Sequence, residues 1–405
     1  MINVNRRRKR LSPIFVIVLT VFIDMTGYGI IIPLLPFYAS EFQTGPAALG
    51  ILIASFALMQ FFFSPLLGKA SDKSGRKPIL LLSLLISFIG FTVFSFANSY
   101  LMLLFSRIIA GIATERAVAQ AYISDVTDHK NRTKAMGKIG AAFGAGFIVG
   151  PVIGGALGTY GFSIPGYAAM ILTLINILFV ISFLPEPQRV NEKTSSMRRV
   201  SSGYLRGLRD SLKKPLLGPT LLILFIVTFA FGTIPVIVPL LGIEFFNFST
   251  LTLSFVFIFI GSIQIVMQGF LINPLSKRLG EETLIAIGPI LMATGIILMP
   301  IFQNVAIFFF ANSLMAAGFG IINTSIPAFL SKRISLDEQG SILGLVSSVA
   351  SIASVPGPLI FGYIYAFAGS FIPFLISAVI LTSAFLIGCR VYNACKFLKK
   401  KKFRA

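Results

Sequence analysis

Four charged side chains, Asp24, Arg107, Glu115 and Arg116, stand inside long apolar stretches of this 405-residue sequence. A charge at mid-membrane costs at least about 2.5–3.5 kcal/mol on insertion scales, so each needs a partner or a task. A carboxylate so placed can hold a proton, and a nearby guanidinium or a change in solvation shifts its charge state. Thr20, Asp24 and Tyr28 recur every fourth residue, which places them on one helical face. At 100° per residue Arg107 and Arg116 point in opposite directions on a continuous helix, so both cannot face one cavity. Asp24 therefore reads as a proton carrier, with a permanent ion pair as its structural alternative. Glu115 reads equally as a second titrating group or as a partner for Arg116.

The elements that must position these charges are membrane helices. Hydrophobic residues make up 56% of the chain and charged residues only 12%, against roughly 25% charged in a soluble domain. Lipid as solvent resolves that imbalance. A net charge of +20 would suggest nucleic acid, but the basic residues fall in short blocks between apolar runs, and no nucleic-acid partner is expected. Cys389 and Cys395 offer neither a disulfide framework nor metal-ligand spacing, and the single histidine, His129, lies in a polar loop. No metal site and no catalytic nucleophile–base arrangement is expected. The basic block Arg6 to Arg10 precedes an apolar run too long for a signal-peptide core, so that run reads as a retained first span.

A span needs about 20 mostly apolar residues. That length predicts helices at 12–38, 49–67, 78–97, 101–123, 138–158, 166–184, 217–240, 251–272, 283–302, 305–330, 340–363 and 371–390. Of the 34 Lys and Arg residues, all but Arg107 and Arg116 then fall on one side of the membrane. Basic residues favour cytoplasmic loops, so both termini are expected in the cytoplasm of a multi-pass protein of the cell membrane. The Ser-rich basic segment 185–216 separates a first bundle, 1–184, from a second, 217–405, and its stretch 204–212 has the spacing of a short interfacial helix. At an offset of 207, Gly111 meets Gly318, Ser124 meets Ser331, and Gly150-Pro151 meets Gly357-Pro358. Internal repeats of this kind are a common construction of transporters, with the substrate site near the midplane.

Two motifs are more specific. Gly68-Lys69-Ala70-Ser71-Asp72-Lys73-Ser74-Gly75-Arg76-Lys77-Pro78 lies between the second and third predicted helices. Gly75 permits a sharp reversal, Pro78 suits a first helical turn, Asp72 suits the positive end of a neighbouring helix, and Arg76 is placed to pair with Asp125. The fifth predicted helix carries Gly137, Gly146, Gly150-Pro151 and Gly154-Gly155, small residues that allow close packing in lipid around a proline that loosens the helix.

The first motif resembles the signature loop of the major facilitator superfamily, and the second is similar to that family's antiporter motif. With Asp24 to Gly29 and Arg107 to Gly111, the chain resembles the drug/proton antiporter branch, closest in texture to the tetracycline efflux carriers. The resemblance implies an all-α membrane protein of twelve transmembrane helices in two six-helix pseudo-repeats. It implies a cytoplasmic gate made by Gly68, Asp72, Gly75, Arg76 and Asp125, and Arg107 facing inward. The expected function is proton-coupled efflux of small amphipathic compounds by alternating access. A proton gradient supplies the energy with no cofactor, and the carrier is a monomer. A metabolite facilitator and a non-transporting receptor on the same scaffold are the alternatives. Asp24 and Glu115 are the proton-coupling candidates, and Thr20, Tyr28, Arg107, Gln264 and Gln268 the cavity candidates. The seventh to twelfth helices, as read, hold no embedded Asp, Glu or His.

Overall fold

The computed structural model describes residues 11–127, 129–187, 216–333 and 339–404. The basic block at 6–10 and the interfacial helix expected at 204–212 lie outside the described residues. Among those described the fold is helical throughout, with eleven helices long and apolar enough to cross a membrane. Large apolar side chains such as Leu85, Phe105, Leu178 and Val379 are exposed, as expected where the surrounding solvent is lipid.

The chain divides into two compact units. The first comprises residues 1–34 and 58–192, the second 35–57 and 193–405. The first holds α1 (Pro13–Ile31), α4 (Arg76–Ser95), α5 (Tyr100–Ile112), α6 (Glu115–Val126), α7 (His129–Gly158) and α8 (Ser163–Phe183). The helix α3 (Pro46–Ser74) contributes to both units, while the short α2 (Leu35–Glu41) joins the second. The second unit continues with α9 (Leu217–Gly232), α10 (Ile234–Phe246), α11 (Thr250–Val266), α12 (Ile272–Leu279) and α13 (Glu281–Ile301). It ends with α14 (Val305–Ser331), α15 (Gln339–Ser354), α16 (Pro356–Ala368) and α17 (Phe371–Arg404).

Turns far from the basic loops are closed by side-chain caps. Ser99 accepts from the Met102 amide at 3.4 Å, Ser249 from Thr252 at 3.3 Å, and Asn304 from Ala306 and Ile307 at 2.9 and 3.2 Å. Each supplies an acceptor to amides that the first helical turn leaves orphaned.

Two expected spans differ in ways that matter for the site. The predicted helix 101–123 is interrupted: Ala113 and Thr114 leave helical geometry, with ψ of 132° and 55°, so α5 stops and α6 restarts. The seventh span runs on to Phe246 rather than ending near 240, and so takes in Glu244. Helical hydrogen bonding outlasts the apolar run there, until Asn247 closes the helix in left-handed geometry at φ 50°.

In the first unit α1 lies along α7 with almost nothing between the backbones. A Cβ on Gly146 would come within 2.6 Å of the Phe22 carbonyl, and one on Gly150 within 2.6 Å of both Gly29 Cα and the Thr26 carbonyl. Gly154 meets Ile30 in the same way, and Gly155 and Pro151 are buried beside it. Glycines at i, i+4 and i+8 thus form one seam, with helix–helix packing in lipid resting on close van der Waals approach. Gly137 does not belong to it. The space around Gly137 is open, because it lies more than two turns before the seam begins.

The seam sets an expectation for stability. Gly150→Leu must force two backbones apart and should cost about 1–3 kcal/mol, seen as a lower apparent Tm of the purified protein in detergent. Gly137→Leu, at an open position, should leave that Tm unchanged.

Candidate functional site

Asp24 lies midway along α1 and is only 7% exposed. Among the described residues its carboxyl enters no ion pair and no hydrogen bond. The permanent ion pair weighed for it from sequence is therefore not formed here. Thr20, one turn below, is fully buried, and its main-chain carbonyl accepts from the Asn176 side chain of α8 at 3.1 Å. Tyr28, one turn above, has the Arg107 guanidinium over its ring at 5.6 Å. The stripe expected from the i, i+4, i+8 spacing is real, and Arg107, 3% exposed, turns inward onto it.

Glu115 reaches the same region by a route the sequence concealed. The interruption at Ala113–Thr114 makes it the first residue of α6, where the positive end of a helix favours a carboxylate. It is buried, accepts a 2.7 Å hydrogen bond from the Ser87 hydroxyl of α4, and lies within electrostatic reach of Asp24. The alternative that it pairs with Arg116 is not what forms. Arg116 instead lies over the Phe143 ring of α7 at 4.6 Å. The two carboxyls, Asp24 and Glu115, are brought together. Sequence reasoning does not reach Ser87, which bonds Glu115, or Asn176, which bonds the Thr20 carbonyl; the signal available for the first is a serine row on α4, Ser83 and Ser87, one turn apart.

The signature loop forms the network expected of it, with one addition. The Arg76 guanidinium meets Asp125 at 2.7 Å and Asp72 at 2.6 Å, and donates to the Ser71 hydroxyl at 2.6 Å. Gly75 takes φ 101°, open to glycine at low cost, while Gly68 has open space around it. Asp72, expected against the N-terminal end of a neighbouring helix, pairs with Arg76, the first residue of α4. The position at the start of α4 belongs to Glu186, whose carboxylate accepts from the Arg76 and Lys77 amides at 2.6 and 2.9 Å. Pro185 beside it accepts from the Tyr122 hydroxyl at 2.7 Å. The clue in the sequence was Pro185-Glu186-Pro187 immediately after a span, since proline stops the helix and leaves the acid free to turn back.

An open cleft of about 370 Å³ lies between α1 and α7, lined by Phe15, Leu19, Phe22, Ala141, Ala145 and Lys138. It occupies a different face of α1 from Asp24 and includes none of the predicted cavity residues.

In the second unit Gln264 and Gln268 are half-buried, and the helix passes into a π turn over Met267–Leu271. Gly320 of α14 packs there, 3.7 Å from Gln268 Cγ when given a Cβ. Such turns are frequent at functional sites. The carboxylates of this half flank the apolar runs expected to span the membrane rather than standing inside them. Glu244 accepts from the Tyr365 and Ser370 hydroxyls at 2.5 and 3.3 Å, and Glu281 and Glu282 are buried at the start of α13. All three lie in helical turns extending past the apolar segments.

The model of the Major Facilitator Superfamily matches residues 17–284 and 262–401. The chain belongs to that superfamily. Among its curated relatives is the class H tetracycline resistance protein of Pasteurella multocida, 32% identical over 88% of this chain and 89% of that one. Multidrug resistance protein 2 of Bacillus subtilis (strain 168) is 26% identical over 87% and 88%. Among solved structures, a bacterial homologue of the human lysosomal transporter Spinster superposes with a TM-score of 0.79 at 15% identity, covering 96% of this chain and 98% of that one. The superfamily's fold is thus matched along nearly the whole chain.

Removing the Glu186 carboxylate uncovers two amides at the start of α4. Glu186→Ala should weaken that end by about 1 kcal/mol, read as faster hydrogen exchange at the Arg76 and Lys77 amides. Glu186→Gln, which keeps one neutral acceptor oxygen, should fall between it and the wild type.

Proposed function

We propose that this chain is a secondary transporter that exports small amphipathic compounds, tetracycline-like or cationic, in exchange for protons. The observation that carries the reading is the pair of buried carboxyls, Asp24 and Glu115, within electrostatic reach of each other and free of any ion pair among the described residues. Two buried carboxyls within electrostatic reach of each other give a proton a place to bind in apolar surroundings. An incoming cation can replace that proton, which makes the binding of the two mutually exclusive. The names of the curated relatives, tetracycline and multidrug resistance proteins, support export of such compounds.

The reading includes twelve membrane crossings, with the broken helix α5–α6 added to the eleven spans that are long and apolar enough to cross. It places both termini and the Arg76 network in the cytoplasm, because the basic loops share that side. Asp24 and Glu115 carry the proton. Thr20, Tyr28 and Arg107 shape the cavity in the first half, and Gln264 and Gln268 in the second. The proton gradient is the energy source, the cell membrane the location, and the working form a monomer. The segment 185–216 links the halves 1–184 and 217–405 in sequence. A facilitator needs no buried titrating pair, and a receptor needs no Arg76 network that cycles.

The test is flux into liposomes with an acidic lumen, using tetracycline and, as a cationic amphiphile, ethidium. Wild-type protein should concentrate at least one of them as protons leave. Asp24→Asn should still equilibrate the probe while accumulation falls to the level without a gradient, and Asp24→Glu should keep part of it. Accumulation by Asp24→Asn at the wild-type level would remove Asp24 from the coupling. A reporter fused after Ala405 should be active only in the cytoplasm.

A further inference from the structure

The second half carries its own ion pair at the position equivalent to Arg76–Asp125, with the charges exchanged. Gly75 precedes α4 with φ 101° and ψ 154°, and Gly280 precedes α13 with φ 81° and ψ 152°. The first helical residue after each glycine is Arg76 in one case and Glu281 in the other. At the far end of the pair, Ser124 and Ser331 are the matched positions of the sequence repeat, and the next residues are Asp125 and Lys332. Lys332 Nζ meets Glu281 at 2.5 Å, as Arg76 meets Asp125 at 2.7 Å. The neighbouring cation is used elsewhere: Arg333 lies over the Phe329 ring at 3.7 Å and reaches Cys395 at 3.8 Å.

The exchange of charge changes the physics. In the first half the cation sits at the N-terminus of α4 and the anion in the last turn of α6, so both oppose their helix dipoles. That arrangement leans on further acids, Asp72 against the guanidinium and Glu186 over the amides. In the second half the anion opens α13 and the cation closes α14, so both lie with the dipoles. The pair also stands at the end of a seam where α13 and α14 touch backbone to backbone. A Cβ on Gly288 would lie 3.1 Å from the Gly318 carbonyl, and one on Gly295 2.6 Å from the Met315 amide.

We infer that Glu281–Lys332 is a positioning pair, a polarity-inverted counterpart of the Arg76–Asp125 contact, which clamps α13 to α14. It holds the ends of two helices in one register; it touches no substrate.

The experiment uses the full chain as wild type, Glu281→Lys, Lys332→Glu and the exchanged double variant. Hydrogen exchange is read at the first amides of α13 and the last of α14, and ethidium flux is read in liposomes with an acidic lumen. Each single reversal should raise local exchange and lower maximal flux by about threefold or more, the scale of an exposed pair together with two dipole contacts. The KM for ethidium should stay put, because the pair is remote from substrate. The double variant should recover both readouts incompletely, since its restored pair now opposes the dipoles. Wild-type exchange in the single reversals, or a double variant no better than the worse single, would overturn the clamp. Should a single reversal fail to reach the membrane, recovery of membrane level in the double supports the pair and no recovery refutes it. The functional consequence rests on the transport reading, but the exchange readout does not. Wild-type protein that moves no ethidium therefore counts against that choice of cargo while leaving the clamp to be decided by exchange alone.

Discussion

A carboxylate taken out of water must be compensated, and the first half of this protein is arranged around two of them. Asp24 and Glu115 are held by helices that could not approach so closely with ordinary side chains between them. The glycine seam of α7 brings α1 in, the interruption after α5 swings Glu115 to the head of a helix, and Ser87 supplies its hydrogen bond. Loss of any of these leaves a buried charge with less to stabilise it, and the cost of that state far exceeds the worth of each contact taken singly. Ordinary packing energy thus serves to keep a costly pair of groups in place.

Much of this was legible in the residues. Apolar runs located the spans because lipid forces backbone bonding to close within each segment. The spacing of Gly146, Gly150 and Gly154 marked one helical face, and that face is the seam. The i, i+4, i+8 row of Thr20, Asp24 and Tyr28 came out as drawn, as did Arg76 with Asp125. The failures share a cause, which is that hydropathy follows side chains while helices follow hydrogen bonds. It ended the seventh span before Glu244 and began the ninth after Glu281, although both acids are helical. It also ran a straight helix through Ala113 and Thr114, two residues that carry no strong signal for a break. Glu186 escaped notice because its partners are backbone amides 110 and 109 residues away in the chain, and no residue type announces an amide.

The comparison between halves shows how a repeated fold comes to hold unlike contacts. Glycine before the third helix of each half gives the same backbone turn, and the same two positions are paired across to the next helix. What differs is only the sign at each end. Sign matters because a helix is polar along its length, so one arrangement is supported by the scaffold and the other must recruit help. Asp72, Ser71 and Glu186 gather around Arg76 for that reason, whereas Lys332 and Glu281 meet without such an escort among the described residues.

The break at Ala113–Thr114 has one more effect. A helix that stops leaves its last carbonyls without amide partners, and the helix that starts after it leaves its first amides likewise. Within a bilayer such groups are tolerated only where protein or a hydrated cavity surrounds them. At the break Ala113, Thr114 and Glu115 are only 2%, 3% and 5% exposed, so it is the surrounding protein that must shelter these main-chain groups, and the packing of the neighbouring helices is bound to the shape of this turn.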